Sequence, residues 1–230
     1  GIIEQAAYIS EVREEMGRKN VLLLHAGDFS QGTSYFTELR GQIEIDNINA
    51  IGYDVVTLGN HEFDNGMEAL AGRLKQLDCP VVCANYDFTG TPLEDVVKPY
   101  AIVKKAGKKI GVIGILTDVS TVVDKSINQG LVYMDPIPIT QKYVDYLRNK
   151  KKCDLIICLT HLGDKGSKAK GVAIDQTLVA GTTGVDVVVG GHAHTELDEM
   201  QVWKNAVGED VIYVTDGGWG LEVGRLDVTF

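Results

Sequence analysis

The sequence predicts an α/β fold, a mainly parallel sheet covered by helices. Three observations carry this. Short apolar runs recur at 21 to 24, 53 to 58, 153 to 159 and 185 to 189, each the length of a buried strand. Stretches with apolar residues at helical spacing lie between them. Each of the four runs finishes in a glycine or threonine followed by polar side chains, and the carboxyl ends of strands are where open α/β sheets place ligands.

Taken in order, the chain opens on a helix at 2 to 16. Ile2, Ile3, Ala6, Ile9, Val12 and Met16 fall at helical spacing, and Gly17 suits a C-cap. Val21 to Leu24 is a buried strand that ends in His25-Ala26-Gly27-Asp28, with a polar loop at Gln31-Gly32-Thr33 beyond it. A helix around 42 to 51 leads to the strand at 53 to 58 and then to Gly59-Asn60-His61-Glu62-Phe63-Asp64. Gly59 reads there as a residue that lets the backbone turn without a Cβ penalty. Met67, Leu70, Ala71, Leu74 and Leu77 mark the next amphipathic helix, Pro80 stops it, and 80 to 84 is a short strand. The order so far, α-β-α-β-α-β, is the basis for the parallel sheet.

From there the pattern changes. Residues 100 to 105 and 109 to 116 form a hairpin that turns at Ala106-Gly107-Lys108. The segment 117 to 135 is loop-like. A helix near 137 to 149 precedes the strand at 153 to 159, which ends in Thr160-His161. Residues 163 to 171 carry Lys165, Lys168 and Lys170 among glycines and read as a mobile solvated loop rather than a phosphate clamp. A short helix at 174 to 180 leads to the strand at 185 to 189, then to Gly190-Gly191-His192-Ala193-His194. Beyond Thr195, antiparallel strands are expected near 199 to 203, 211 to 215 and 221 to 229. No linker, internal repeat or low-complexity stretch divides the 230 residues, so one domain over 1–230 is expected.

Composition narrows the partners. A net charge of −10 argues against nucleic acid, which needs a basic face. It leaves room for a small phosphorylated substrate where metal ions supply local positive charge. Cys79, Cys83, Cys153 and Cys158 lack zinc-site spacing and read as small buried apolar residues, with a disulfide between neighbouring strands left open. No apolar run is long enough to span a membrane, and no signal-peptide pattern precedes the first helix.

All five histidines, His25, His61, His161, His192 and His194, directly follow predicted strands, and Asp28, Asn60 and Asp64 share those strand ends. Parallel strands bring their carboxyl ends to one edge, so these groups are placed to converge on metal. Asp28 is a candidate to bridge two ions, with a turn or cap carboxylate as the plainer alternative. Asn60 offers a neutral carbonyl oxygen, or else forms a turn. His161 and His192 each close a buried run and are candidate ligands. His194 lies one residue beyond His192, facing the same way in an extended segment and able to reach a second ion; a loop histidine is its alternative. His25 reads as structural or as a support to the ligands, and Glu62 as a local hydrogen-bonding residue. His61 and Asp64, three apart, suit a pair in which the carboxylate fixes the imidazole tautomer and the imidazole handles a proton at a leaving oxygen.

Mixed carboxylate, amide and imidazole ligands suit Mn, Zn or Fe(II). A paired site of this kind activates water and clamps both oxygens of an in-line phosphoryl displacement. No Gly-x-Ser-x-Gly elbow, Walker loop or Gly-x-Gly-x-x-Gly stretch supports a competing chemistry.

Gly27-Asp28, Gly59-Asn60-His61-Glu62, Thr160-His161 and Gly191-His192-Ala193-His194 resemble the successive signature blocks of the calcineurin-like metallophosphoesterases. Residues 27 to 33, 59 to 66 and 185 to 195 further resemble the 5′-nucleotidase branch, in its N-terminal catalytic domain, and the likeness covers essentially the whole chain. It implies a four-layer α/β/β/α sandwich with a dinuclear site. In that pattern Asp28 bridges two divalent ions, Asn60, His161 and His192 complete one site, His194 matches a ligand of the other, and His61 with Asp64 is the catalytic dyad.

The family's first block, an Asp-x-His after a first strand, is absent ahead of Ile2. The expectation is an N-terminally truncated domain that lacks that strand and two ligands of the second metal. The C-terminal domain that stacks the nucleobase in this branch is also absent, which implies a separate or missing substrate domain. The implied activity is metal-dependent hydrolysis of phosphomonoesters, above all 5′-nucleotides. The alternatives are a phosphodiesterase acting on cyclic nucleotides or related diesters, and a non-catalytic metal-binding domain with an incomplete site. The branch leans towards a periplasmic or cell-surface location.

Overall fold

The computed structural model describes residues 1–32, 34–122, 130–164 and 173–230. The greater part of the expected 163 to 171 loop lies outside the described residues. The helices are α1 (Ile2–Met16), α2 (Ser34–Leu39), α3 (Gln42–Ile51), α4 (Met67–Leu74), α5 (Pro136–Asn149) and α6 (Asp175–Ala180). The strands are β1 (Leu24–His25), β2 (Val55–Thr57), β3 (Val81–Val82), β4 (Tyr86–Asp87), β5 (Val97–Lys98), β6 (Tyr100–Lys105), β7 (Lys108–Leu116), β8 (Val132–Tyr133), β9 (Leu155–His161), β10 (Val187–Val189), β11 (Gln201–Lys204) and β12 (Asp210–Val214).

Two sheets face each other. The first has the order β1-β2-β3-β5, with every neighbouring pair parallel. The second has the order β11-β12-β10-β9-β7-β6. Its inner strands β12, β10, β9 and β7 run parallel, and the antiparallel strands β11 and β6 close its edges. A short antiparallel pair, β4 with β8, stands apart from both.

Three apolar clusters fill the spaces between four layers. Ile48, Leu70, Ala71 and Leu74 from α3 and α4 pack on Val56 and Val81 of the first sheet. Val55 and Val82 meet Val112, Ile157, Leu159 and Val187 between the sheets. Val144, Leu147, Leu178 and Val179 from α5 and α6 cover Ile113, Ile156 and Val188 on the far side. The arrangement is therefore an α/β/β/α sandwich. Its inner strands read as unbroken apolar runs because both of their faces are buried.

The sequence places most of these elements. α1, α3 and α5 occupy the predicted stretches, as does the hairpin of β6 and β7. Its turn puts Ala106 at φ 52 and Gly107 at φ 74. Three expectations change. The loop after β1 contains the helix α2, whose side chains are none of them buried, so it leaves no apolar period. The loop at 117 to 135 supplies β8. Residues 221 to 229 do not form a strand: their alternation meets no neighbouring ladder, although Leu226 still packs against the inter-sheet core. All four cysteines are free, three of them buried. Among the described residues, no helix is long and apolar enough to cross a membrane.

The sheets approach closely where the end of β3 meets β7. The Ala84 N–H donates to the Gly114 carbonyl at 2.7 Å, and a Cβ at Gly114 would overlap the Val82 carbonyl group. Neither backbone can withdraw without parting the sheets. Gly114→Ala is expected to lose about 1–3 kcal/mol or more of stability, the cost of overpacking a close contact. Urea denaturation measures it; an unchanged midpoint would show that the sheets do not meet there.

Candidate metal and catalytic site

The carboxyl ends of β1, β2, β9 and β10 carry the candidate residues. Two loops meet backbone to backbone. A Cβ on Gly27 would stand 2.5 Å from the Gly59 nitrogen, and one on Gly59 would overlap Asp28. Gly59 is therefore required by this close approach. It does not take a left-handed conformation; the Cβ penalty that it avoids, as expected of it, comes from the approach of Asp28. Glu62 ties the two loops together. Its carboxylate accepts the N–H groups of Asp28 at 2.9 Å, Ser30 at 3.0 Å and Gly59 at 2.5 Å. This is the structural hydrogen-bonding role expected of Glu62.

Asp28 is held at φ 53, His192 at φ 77 and His194 at φ 51. Left-handed backbone costs a non-glycine residue roughly 1 kcal/mol or more, and such strain gathers at functional sites. Asp28 Oδ1 accepts the His61 N–H at 2.9 Å. Its Oδ2 lies 2.9 Å from His161 Nε2. The other nitrogen of His161, Nδ1, lies 2.6 Å from the Ala26 carbonyl oxygen. A carbonyl only accepts, so Nδ1 bears the hydrogen and Nε2 of the neutral ring presents a lone pair.

That lone pair faces a carboxylate oxygen at 2.9 Å, and among the described residues the buried Nε2 has no donor to accept from. Asn60 Oδ1 is buried and has no partner among the described residues. Its backbone adjoins His61, which donates to Asp28. The His192 ring lies 5.0 Å from that of His161, centroid to centroid. Ligand atoms of Asp28, His161 and His192 all fall within 4.8 Å of one another. Clustered carboxylate and imidazole ligand atoms fit a cation. Carboxylate oxygen, amide oxygen and imidazole nitrogen are donors for a borderline divalent ion.

The charges of Asp28 and His192 agree with this picture, whereas the carboxylate beside His161 favours its protonated ring. Burial alone would push the Asp28 carboxyl up, but the His161 ring and the His61 N–H outweigh it and hold it down at about 2. Burial and the neighbouring His161 hold His192 down at about 4, so its ring stays neutral and able to coordinate. Burial disfavours the charged form of His161, while Asp28 beside it raises the His161 pKa above the ordinary value.

The remaining histidines are placed differently. His61 Nδ1 lies 2.8 Å from Asp64 Oδ2, and both side chains are part-exposed. Gln31 Nε2 donates to the same Asp64 oxygen at 3.2 Å. His194 is not one of the three clustered groups; its ring meets the Trp219 indole edge to face, with centroids 5.0 Å apart. His25 packs against Phe29 and Tyr53 and accepts the Gly27 N–H on Nδ1 at 3.2 Å, as a structural histidine would.

Several participants escaped the sequence reading. The Ala26 carbonyl, which fixes the His161 tautomer, has no side-chain signature. Gln31 reads in the sequence as part of a polar loop. Asp175, fully buried and pushed up to about 7 chiefly by that burial, lies at the start of α6 with no apolar or motif signal to mark it. Trp219 had one available signal, an aromatic residue set among Gly217, Gly218 and Gly220.

Comparison with known proteins gives a consistent result. A family model described as calcineurin-like phosphoesterase matches residues 3–196. The chain is 32% identical to a trifunctional nucleotide phosphoesterase protein, YfkN, of Bacillus subtilis, over 96% of this chain and 16% of that protein. It is 34% identical to a probable 5′-nucleotidase of Treponema pallidum, over 98% of this chain and 39% of that one. Among solved structures, a 5′-nucleotidase precursor from Thermus thermophilus superposes with a TM-score of 0.85 at 33% identity, covering 96% of this chain and 44% of that one. The chain thus spans less than half the length of these relatives.

His25 yields a pH test. Burial holds its folded pKa at about 4, below the ordinary 6.5. Below pH 6.5 the unfolded chain takes up a proton that the folded ring refuses, so this group costs stability as pH falls from 6.5 towards 4. Phenylalanine does not titrate. The stability difference between the wild type and His25→Phe is expected to move in the variant's favour between pH 7 and pH 5, read by urea denaturation of metal-free protein. A pH-independent difference would refute the burial argument.

Proposed function

We propose, starting from the fact that this chain belongs to the calcineurin-like phosphoesterase family, that it hydrolyses phosphomonoesters of nucleotides with the help of divalent metal ions. The observation that carries the reading is the cluster of ligand atoms from Asp28, His161 and His192, with Asp28 accepting the N–H of His61, whose ring pairs with Asp64. The nucleotide substrate is supported by the 5′-nucleotidases among its relatives.

Asp28, Asn60, His161 and His192 would hold one ion, and Asp28 with His194 would serve a second. Mn, Zn or Fe(II) suits this donor set. Such ions supply positive charge to the phosphoryl oxygens and lower the pKa of water. The chain's own residues do the rest. The Ala26 carbonyl keeps the hydrogen of His161 on Nδ1, so that Nε2 stays free to ligate. Asp64, itself held by Gln31, keeps the hydrogen of His61 on Nδ1 and orients the ring. The imidazolium form of His61 then carries a proton on Nε2 for the departing alkoxide, and the products are an alcohol and phosphate. Residues 1–230 act as a catalytic domain, and the greater length of the relatives leaves room for a separate substrate domain.

Diesters remain a second substrate class to test, because one relative is named as a trifunctional nucleotide phosphoesterase. A panel of monoesters and cyclic diesters decides; phosphate release from monoesters alone supports the main reading. His61→Ala is expected to lower kcat by about 10²–10⁴ with bound metal unchanged. Full turnover in that variant would remove His61 from the mechanism. Chelation is expected to abolish hydrolysis and one of Mn, Zn or Fe(II) to restore it. Activity that survives chelation would overturn the metal reading.

A further inference from the structure

Asp175 is fully buried, yet it belongs neither to the proposed ligands nor to the proton-handling pair. Burial pushes its carboxyl up to about 7, against the adjoining hydroxyls of Thr160 and Tyr213. Neither carboxyl oxygen completes a hydrogen bond among the described residues. An acid in such a place is costly, and filling the space asks only for an apolar side chain. What the residue touches gives it another role.

Its main chain holds the end of β9. The Asp175 N–H donates to the Gly163 carbonyl at 3.0 Å, just past His161. Its side chain lies against the end of β10. A Cβ on Gly190, just before His192, would stand 2.9 Å from Asp175 Oδ2 and 2.6 Å from the Tyr213 hydroxyl. The Tyr213 ring is fixed in turn, stacked on Trp203 with centroids 4.0 Å apart. Gly190 is tied to the same strand, β12, its N–H donating to the Val214 carbonyl at 2.9 Å. Beyond Gly190 the two loops meet at the ligands. A Cβ on Gly163 would stand 3.5 Å from the His192 ring, and the Thr195 hydroxyl donates to Asp164 at 2.6 Å. His192 keeps its left-handed φ of 77 only while such neighbours impose it.

We infer that Asp175 is a positioning residue, a wedge between Thr160 and Gly190 that sets the spacing of His161 and His192 and thereby the affinity for metal. The inference rests on the metal reading of that site. Asp175 acts through the residues on either side of it: Thr160 immediately precedes His161, and Gly190 leads into His192. Groups behind the ligands govern affinity by fixing how the ligands face the ion.

Calorimetric titration of the metal-stripped protein with Mn(II) and with Zn(II) tests this, alongside urea denaturation of the metal-free forms. Asp175→Ala is expected to weaken metal binding about 10–100-fold. Asp175→Asn fills the same space with a neutral group that both donates and accepts, and is expected to stay close to the wild type. Tyr213→Phe keeps the stacked ring and removes the hydroxyl beside Gly190. It is expected to weaken binding as well, and it decides the matter where Asp175→Ala does not fold: wild-type affinity in Tyr213→Phe then overturns the inference. An Asp175→Ala protein that loses stability but binds metal as tightly as the wild type leaves Asp175 a packing residue and overturns it too. Equal losses in the alanine and asparagine variants do the same, by making charge rather than placement the cause. A wild type that takes up neither ion sinks the metal reading itself, and this inference with it.

Discussion

The contact between Gly27 and Gly59 sets the geometry on which the site depends. Two strands of one parallel sheet can bring their end loops together only as closely as their side chains permit, and here neither loop has a Cβ at the meeting point. The gap is closed by one carboxylate, Glu62, that binds three backbone N–H groups from both loops. Charge-assisted bonds of this type are among the stronger ones a protein makes. They hold Asp28 in a strained conformation and put the His61 N–H onto its oxygen. A small residue, a buried acid and a strained ligand thus form one mechanical unit, and the proton-handling pair is its continuation.

Much of this was legible in the sequence, for identifiable reasons. Strands buried on both faces leave continuous Val, Ile and Leu runs, and their ends are marked by glycine and polar residues. That signal located β2, β9 and β10 and the ends that carry Asn60, His161 and His192. The four-layer sandwich came from the resemblance of those blocks to a known family, and the three apolar clusters agree with it.

What stayed hidden was hidden for physical reasons as well. α2 buries no side chain, so it has no hydrophobic period to read. Residues 221 to 229 carry a strand-like alternation, but a strand is a relation between two segments, and alternation describes only one. Gly59 reads in the sequence as a turn residue, but the partner that requires it lies far away in sequence, at Asp28. The Ala26 carbonyl belongs to every residue type alike. Site chemistry that resides in the backbone leaves no mark in composition or spacing.

The hydrogen bond from His161 to the Ala26 carbonyl joins the end of the second sheet to the end of the first. The proposed ligands divide the same way: Asp28 and Asn60 follow strands of the four-stranded sheet, His161 and His192 strands of the six-stranded one. An ion held by all four is a rivet across the sandwich. Binding energy directed at the ion is then also energy resisting separation of the layers, by ordinary mass action on the folded state. Scarcity of metal would loosen the fold before it merely slowed the chemistry, and the domain would report the metal supply of its surroundings through its own lifetime.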